Sequence, residues 1–196
     1  MIRFFDILLS CIGLIVLFPI FLMLSIWIKL DSKGPVFYKQ NRVGRNNVDF
    51  LLYKFRSMIT DADKKGFLIT VGGKDPRITK SGYFIRKYKL DELPQLINVF
   101  MGDMSLVGPR PEVRKYVDMY NDEQRKVLSI RPGITDYASI EYMDENRILG
   151  ESQDPEKSYV EVIMPEKIKL NMKYIENQSL GEYIKIIFMT IWKIFV

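Results

Sequence analysis

The hydrophobic and polar positions divide the chain into an apolar head, a mixed middle and an alternating tail. From Ile7 to Ile28, 22 consecutive positions carry no charge, and only Ser10 and Ser25 are polar. That is long enough to span a bilayer as a helix. It is too long for the apolar core of a secretory signal, and no small-residue cleavage site follows Trp27-Ile28-Lys29-Leu30, so a signal peptide is discounted. Lys29, Lys33, Lys39, Arg42 and Arg45 come next, which keeps the larger part of the chain on the cytoplasmic side. Two arrangements of the run remain. A simple span would place Arg3 outside. A re-entrant helix would turn at Pro19, where the ring removes a backbone donor and clashes with the preceding turn. Asp6 and Lys29 flank the ends and would suit a helix with both ends on one face. Proline is tolerated in spanning helices, so residue physics alone favours the simple span.

In the mixed region, Pro35–Gln40 and Val48–Phe55 predict two short strands, and the turn composition of Arg42–Asn47 between them predicts a β-hairpin. Residues 60–80 are polar, include Gly72-Gly73-Lys74-Asp75-Pro76 and predict a loop. Helical patterns follow over 82–90, 92–101 and 112–129, and an irregular stretch runs from Pro132-Gly133 to about 157. From Pro165 the tail alternates lysine with apolar residues at helical spacing. In Tyr183–Val196, Lys185 and Lys193 fall near one face and aromatic and aliphatic residues cover the rest. That pattern suits a helix lying in the membrane interface, and it suits a helix packed into the core about as well. No repeat or linker divides the chain, so the pattern predicts a mostly helical α+β domain behind one anchor.

Composition narrows the chemistry. With 47% apolar and 27% charged residues in 196 positions, the chain is neither disordered nor polytopic. Its one cysteine, Cys11, lies inside the apolar run, so no disulfide framework is available. There is no histidine. Ser-His-Asp and Cys-His schemes are therefore excluded, as are imidazole metal sites, leaving carboxylates, lysine, tyrosine and hydroxyls. A net charge of +5 calls for an anionic partner, whether nucleic acid, anionic lipid or a phosphorylated substrate.

One acidic pair stands among the cations. In Leu90-Asp91-Glu92-Leu93-Pro94-Gln95, Asp91 is placed to cap the following helix, with Pro94 in its first turn. The helix dipole would keep it ionised, and adjacent Glu92 could act as a base, its proton affinity raised by the neighbouring charge. Alone, the pair reads as an ordinary cap with an acidic first turn. The cations change that weighing: Lys54 and Arg56 in Lys54-Phe55-Arg56-Ser57-Met58, Arg86 before the pair, Arg110 between two prolines in Gly108-Pro109-Arg110-Pro111, and Arg131 before Pro132-Gly133. Prolines on both sides restrict the backbone, and arginine suits bidentate phosphate binding. Singly, each reads as a solvated surface charge.

Taken in order, Lys54–Met58, Leu90–Ser105, Leu106–Glu112 and Arg131–Thr135 resemble the bacterial sugar transferase family, more narrowly its small monotopic phosphoglycosyl transferases. The likeness runs from the apolar head to about residue 135 and is loose beyond. The resemblance implies transfer of a phosphosugar from a UDP-sugar to undecaprenyl phosphate or another polyprenyl phosphate, with release of UMP. It implies Asp91 as the nucleophile that forms a covalent phosphosugar intermediate, and Glu92 as an assistant that deprotonates the lipid phosphate. It further implies magnesium beside Asp91, with Lys54, Arg86, Arg110 and Arg131 around the phosphates; Arg56, two residues from Lys54, is added as a substrate-binding candidate. The same likeness reverses the anchor preference: residues 1–29 become a re-entrant helix broken at Pro19. Residues 30–196 become a cytoplasmic domain with a small β-hairpin and interfacial helices, on the cytoplasmic face of a bacterial inner membrane. Partners are then the nucleotide sugar, the polyprenyl phosphate and membrane lipid, with no nucleic acid; a homo-oligomer stays open. Two departures stand out. Phe18 replaces the serine that often precedes the proline, and Asp136-Tyr137-Ala138-Ser139 replaces Gly-Leu-Ala-Gln, which leaves the sugar open. The rival expectation is a basic membrane-associated protein that binds anions or acts as a scaffold without catalysis.

Overall fold

The computed structural model describes residues 1–62 and 75–195. The glycine-rich stretch Gly72-Gly73-Lys74 of the expected loop lies outside the described residues. The fold is α+β and mostly helical, as the pattern predicts. Helix α1 covers Ile2–Asp31 with Pro19 inside it. Only 11% of its most apolar 18-residue window is buried, so it is not the core helix of a globular domain, and it is long and apolar enough to cross a membrane.

Both ends of α1 are nevertheless tied to the same body. Near the start, Arg3 donates to the carbonyls of Val99 (2.6 Å) and Phe100 (3.0 Å). Asp6 accepts from Ser105 Oγ at 2.8 Å, the Leu106 amide at 2.9 Å and Tyr183 Oη at 2.9 Å. At the far end, Asp31 accepts from the amide and hydroxyl of Ser81, each at 2.8 Å. Arg56 reaches the carbonyls of Ile28, Ser32 and Lys33, tying the last turn of α1 and the chain leaving it to the end of β2. The middle of the helix is the free part: Ile15, Val16 and Phe18 are 64–69% exposed.

Strands β1 (Phe37–Val43) and β2 (Asp49–Phe55) form the expected antiparallel hairpin, Phe37 opposite Phe55. The first strand runs three residues past Gln40. The turn is correspondingly tight, and Asn46 and Asn47 take left-handed φ values of 57° and 63°, which asparagine tolerates. Helix α2 (Lys80–Lys87) is capped by Thr79, whose hydroxyl accepts from the Gly82 amide at 3.0 Å. A side chain at Gly82 would fall on the Ser57 carbonyl, so this glycine lets α2 sit directly on the chain leaving β2.

The expected helix over 92–101 divides. Leu90–Glu92 form a single 3₁₀ turn, and α3 (Gln95–Met101) begins only after Pro94. Asp91 therefore caps no helix, contrary to the cap reading. Helix α3 is fastened to β2 by Asn98, which is fully buried. Its side chain accepts from the Tyr53 amide (3.0 Å) and donates to the Leu51 carbonyl (2.7 Å) and to Asp103 (3.2 Å). Asn98→Ala orphans that amide and carbonyl in a buried place. It is expected to cost about 2–3 kcal/mol, read as a fall of roughly 5–10 °C in melting temperature for a domain of this size.

Strand β3 (Ser105–Val107) has a partner that the pattern does not announce. It pairs in parallel with β4 (Gly133–Thr135), Ser105 opposite Gly133 and Val107 opposite Thr135. Glycines 108 and 133 face each other so closely that a Cβ on either would fall on the other segment's backbone. Between the strands, the helix expected over 112–129 breaks into α4 (Arg114–Val117), α5 (Asp122–Arg125) and a 3₁₀ turn, Lys126–Ser129. Asn121 and Gln124 form a capping box that restarts the chain. The stretch expected to be irregular holds α6 (Tyr137–Glu141), α7 (Glu145–Gly150) and α8 (Pro155–Ser158), with Asp136 capping α6 and Asp154 capping α8. A π-helical turn, Tyr159–Ile163, leads into α9 (Met164–Glu176), and α10 (Leu180–Phe195) ends the described chain. Helix α10 packs one face into the core, as one of the two expectations has it, and leaves apolar residues on the other face exposed. Tyr183 and Ile186 are fully buried, while Phe188, Ile191 and Trp192 are exposed.

Candidate active site

The parallel pair explains how Arg110 is presented. The Gly108 amide donates to the Thr135 carbonyl (3.0 Å) and the Gly133 amide to the Pro109 carbonyl (2.9 Å). The Arg110 amide then donates to Asp136 at 2.9 Å. Asp136 is fully buried and also accepts from the Ser139 amide at the start of α6. One carboxylate thus fixes the arginine's backbone and the helix opposite.

From that position Arg110 grips Glu92 with both guanidinium arms, NH1 lying 3.1 Å from Oε2 and NH2 binding Oε1. Lys54, near the end of β2, donates to the same Oε1 at 3.0 Å. Lys89 adopts a left-handed φ of 53°, turning the chain sharply between α2 and the acidic pair. Strain of this kind in a non-glycine residue is often found at functional sites. A cavity of about 290 Å³ opens over the cluster. Lys54, Arg86, Lys89, Asp91, Glu92 and Arg110 form one side; Ser139, Tyr142, Met143, Glu145 and Lys167 contribute the other. A second, more apolar cleft containing Phe37, Phe55 and Met58 meets the first at Lys54, Arg86 and Asp91.

The two acids differ in kind. Glu92 is half-buried, and desolvation by itself would raise its proton affinity, but Arg110 and Lys54 outweigh that and hold its carboxyl well below the usual range. Glu92 is hence a fixed anion that organises two cations, and not the base of raised proton affinity expected from its neighbour's charge. Asp91 has no hydrogen-bond or ion-pair partner of its own among the described residues. Burial pushes its carboxyl up, Lys54 pulls it back, and the Glu92 charge adds to the rise. Burial also lowers the Lys54 ammonium, with Glu92 opposing. The unpaired carboxylate at the junction of two clefts is the group free to react or to bind a cation.

Of the residues singled out in the sequence, Lys54, Arg86, Asp91, Glu92 and Arg110 come together. Arg56 is 4% exposed and turned to the end of α1, where it holds three carbonyls, although it also lines the apolar cleft. Arg131 is at the other end of α3, donating to the Gly102 carbonyl at 2.8 Å and lining a different cavity. The sequence reading missed the far wall. Lys167 is 9% exposed at its side chain, paired with Glu145 at 2.8 Å, and arrives from α9 with no local signal. Asp136 did carry one: Asp-x-x-Ser before a short helix is a cap pattern.

Magnesium fits these residues in one way. Among the described residues there is no group of three or more acidic, cysteine or histidine side chains. An all-protein cage is thus not offered, but a small hard cation commonly takes one or two carboxylates with substrate phosphates and water. Asp91 is the carboxylate with capacity to spare.

The family model described as bacterial sugar transferase matches residues 1–196. A UDP-N-acetylgalactosamine-undecaprenyl-phosphate N-acetylgalactosaminephosphotransferase of Aeromonas hydrophila is 40% identical over 192 residues, covering 96% of this chain and 42% of that protein. A UDP-glucose:undecaprenyl-phosphate glucose-1-phosphate transferase of Escherichia coli (strain K12) is 36% identical over 199 residues, covering 97% of this chain and 39% of that protein. The exopolysaccharide production protein PSS of Rhizobium leguminosarum bv. phaseoli is 39% identical over 196 residues, covering 96% and 92%. The chain thus spans about two fifths of the first two relatives and nearly all of the third. With the model matched along its whole length, the chain belongs to the bacterial sugar transferase family.

Proposed function

We propose that this chain transfers a sugar phosphate from a UDP-sugar to undecaprenyl phosphate and releases UMP. The observation that carries this reading is Asp91: an unpaired carboxylate beside a cavity lined by Lys54, Arg86, Lys89 and Arg110. In the first half-reaction an Asp91 oxygen attacks the phosphorus next to the sugar. The bond from that phosphorus to the bridging oxygen breaks, and UMP leaves with the electron pair. In the second, a phosphate oxygen of the polyprenyl acceptor attacks the same phosphorus, freeing the Asp91 carboxylate and giving the lipid diphosphosugar. An anion attacking an anion faces like-charge repulsion, which the ring of cations offsets. Magnesium held by Asp91 and the substrate phosphates would neutralise more of the diphosphate charge.

Glu92 acquires its role through competition. A diphosphate entering the cavity takes Lys54 and Arg110 as its own partners. Glu92 then loses the charges that depress its carboxyl, its proton affinity rises, and it becomes able to take a proton from the acceptor phosphate.

The anchor is read as re-entrant, turning at Pro19, with the domain on the cytoplasmic face of the inner membrane. Docking of Arg3, Asp6 and Asp31 on one body supports it, because a straight span would carry one end about 30 Å away. A cysteine placed at residue 2 should resist labelling by an impermeant reagent added outside intact cells; ready labelling sinks this arrangement. The reaction is tested by incubating the purified protein with magnesium, undecaprenyl phosphate and a panel of UDP-sugars, with UMP as readout. UMP formed from one or a few of the sugars, and dependent on the acceptor for turnover, is the expected result. A folded protein that yields no UMP from any of them overturns the reading.

A further inference from the structure

A second cavity, of about 400 Å³, opens where α1 and α10 begin. Arg3, Arg45 and Arg131 line it. Each guanidinium is held by backbone carbonyls: Arg3 by Val99 and Phe100, Arg131 by Gly102, and Arg45 by Ser129 at 3.2 Å. Carbonyl oxygens fix the direction of a guanidinium but leave its charge unbalanced. Among the described residues Asp6 is the one acid on the cavity wall, and its Oδ1 accepts three hydrogen bonds from neutral donors. Three like charges gathered around one space exceed the single carboxylate there, and the excess favours an anion that joins them.

The location narrows the anion. The cavity sits at the root of the two helices with apolar outward faces: Phe4 on α1 is 66% exposed, and Phe188 and Trp192 on α10 are 68% and 71% exposed. Such faces belong against lipid, and arginines at their root belong at the depth of lipid phosphates. Guanidinium forks match the tetrahedral oxygens of a phosphate. We propose that Arg3, Arg45 and Arg131 form a phosphate site, distinct from the Asp91 cavity, that takes the headgroup of an anionic phospholipid. Free inorganic phosphate shares the recognised chemistry, and the test separates the two sources. The proposal does not depend on the reaction proposed above.

The test uses the full chain in neutral detergent, melted with added phosphatidylglycerol, with phosphatidylcholine, or with inorganic phosphate at matched ionic strength. Phosphatidylglycerol should raise the melting temperature by roughly 4–8 °C at saturation, as ligand linkage predicts for a domain of this size, and phosphatidylcholine by much less. Arg45→Gln alone should weaken the apparent affinity several-fold. This side chain is exposed and its hydrogen bond among the described residues is to the Ser129 carbonyl, so the variant is expected to keep its fold. Arg45→Gln/Arg131→Gln should lose most of the shift, whereas the exposed-lysine control Lys126→Gln/Lys169→Gln should retain it. A shift that survives the double arginine variant, or no shift with phosphatidylglycerol, overturns the site. An equal, arginine-dependent shift with inorganic phosphate supports the phosphate site and overturns the headgroup as its source.

Discussion

Asp91→Asn is expected to cut UMP release at least about 10³-fold, as loss of a covalent nucleophile does, while raising the melting temperature at neutral pH. The two effects have one origin. Asp91 is unpaired, and burial raises its carboxyl against the pull of Lys54. A raised value means that the folded protein binds the Asp91 proton more tightly than the unfolded chain does. The stability linked to this group is full in acid and is lost as pH rises through the folded value. Near pH 8 the ionised carboxylate therefore costs stability, and the neutral amide removes that cost. The gain of the variant over the parent should shrink as pH falls through the folded value of Asp91, which paired melting curves taken at neutral pH and across the acid range would show. A helix cap predicts the opposite, since losing one costs about 0.5–2 kcal/mol. A variant that melts lower at neutral and acid pH alike would return Asp91 to a structural role. Sites that trade stability for reactivity behave in this direction when their central group is neutralised.

How much of this was legible in the sequence depends on whether the controlling contacts are local. The apolar head, the hairpin and the tail helices follow from periodicity within one element, and they are found close to where the pattern puts them. The failures are of two kinds. Where a side chain restarts a helix, as Asn121 does with Gln124 and Asp136 with Ser139, a pattern of apolar positions sees one long helix or none. Where pairing joins distant segments, as Ser105 with Gly133, neither three-residue strand has enough length to announce itself. The paired glycines were visible as letters, but their reason, backbone against backbone, lies in the partner strand.

The site divides in the same way. Its left wall is carried by motifs: Lys54, Arg86, Asp91, Glu92 and Arg110 all stand out as charges in unusual company, and the fold gathers them. Its right wall is not, because Ser139, Glu145 and Lys167 belong to the third of the chain where the family likeness is loose. Charge alone does not say which cavity an arginine faces. Arg56 and Arg131 both lie outside the cavity over Asp91 and Glu92, anchored on carbonyl groups at helix ends, the local negative pole of a helix. The roles within the acidic pair needed geometry too. Adjacent carboxylates should raise each other's proton affinity, and the two-armed grip of Arg110 together with the Lys54 contact shows why Glu92 goes the other way.

That grip can be weighed with Arg110→Gln. The substitution keeps the backbone amide that donates to Asp136, so the loop should stay in place. It removes a charge from the cavity and two donors from Glu92. Loss of one cation aimed at a transferring phosphoryl group is expected to lower kcat/KM about 10²- to 10³-fold. Arg110→Lys, which restores the charge without the two-armed contact, should fall between. Stability should move as well, by about 1–3 kcal/mol, toward the lower end because the Arg110 side chain is 34% exposed and solvent screens part of the pair. The pH dependence has a definite sign. The Glu92 carboxyl is held low in the folded state, so its stabilising contribution is present above the unfolded value and is lost as pH falls through the folded one. Without Arg110 the folded value rises, and acid unfolding should begin at a higher pH. Adding Glu92→Gln removes a half-buried charge that Lys54 alone would then balance, so the double variant should regain part of the lost stability without regaining activity. Unchanged UMP release in Arg110→Gln would make the pair a structural tie. Lost release with stability restored only in the double variant would establish Glu92 as the counter-ion that keeps Arg110 ready for phosphate.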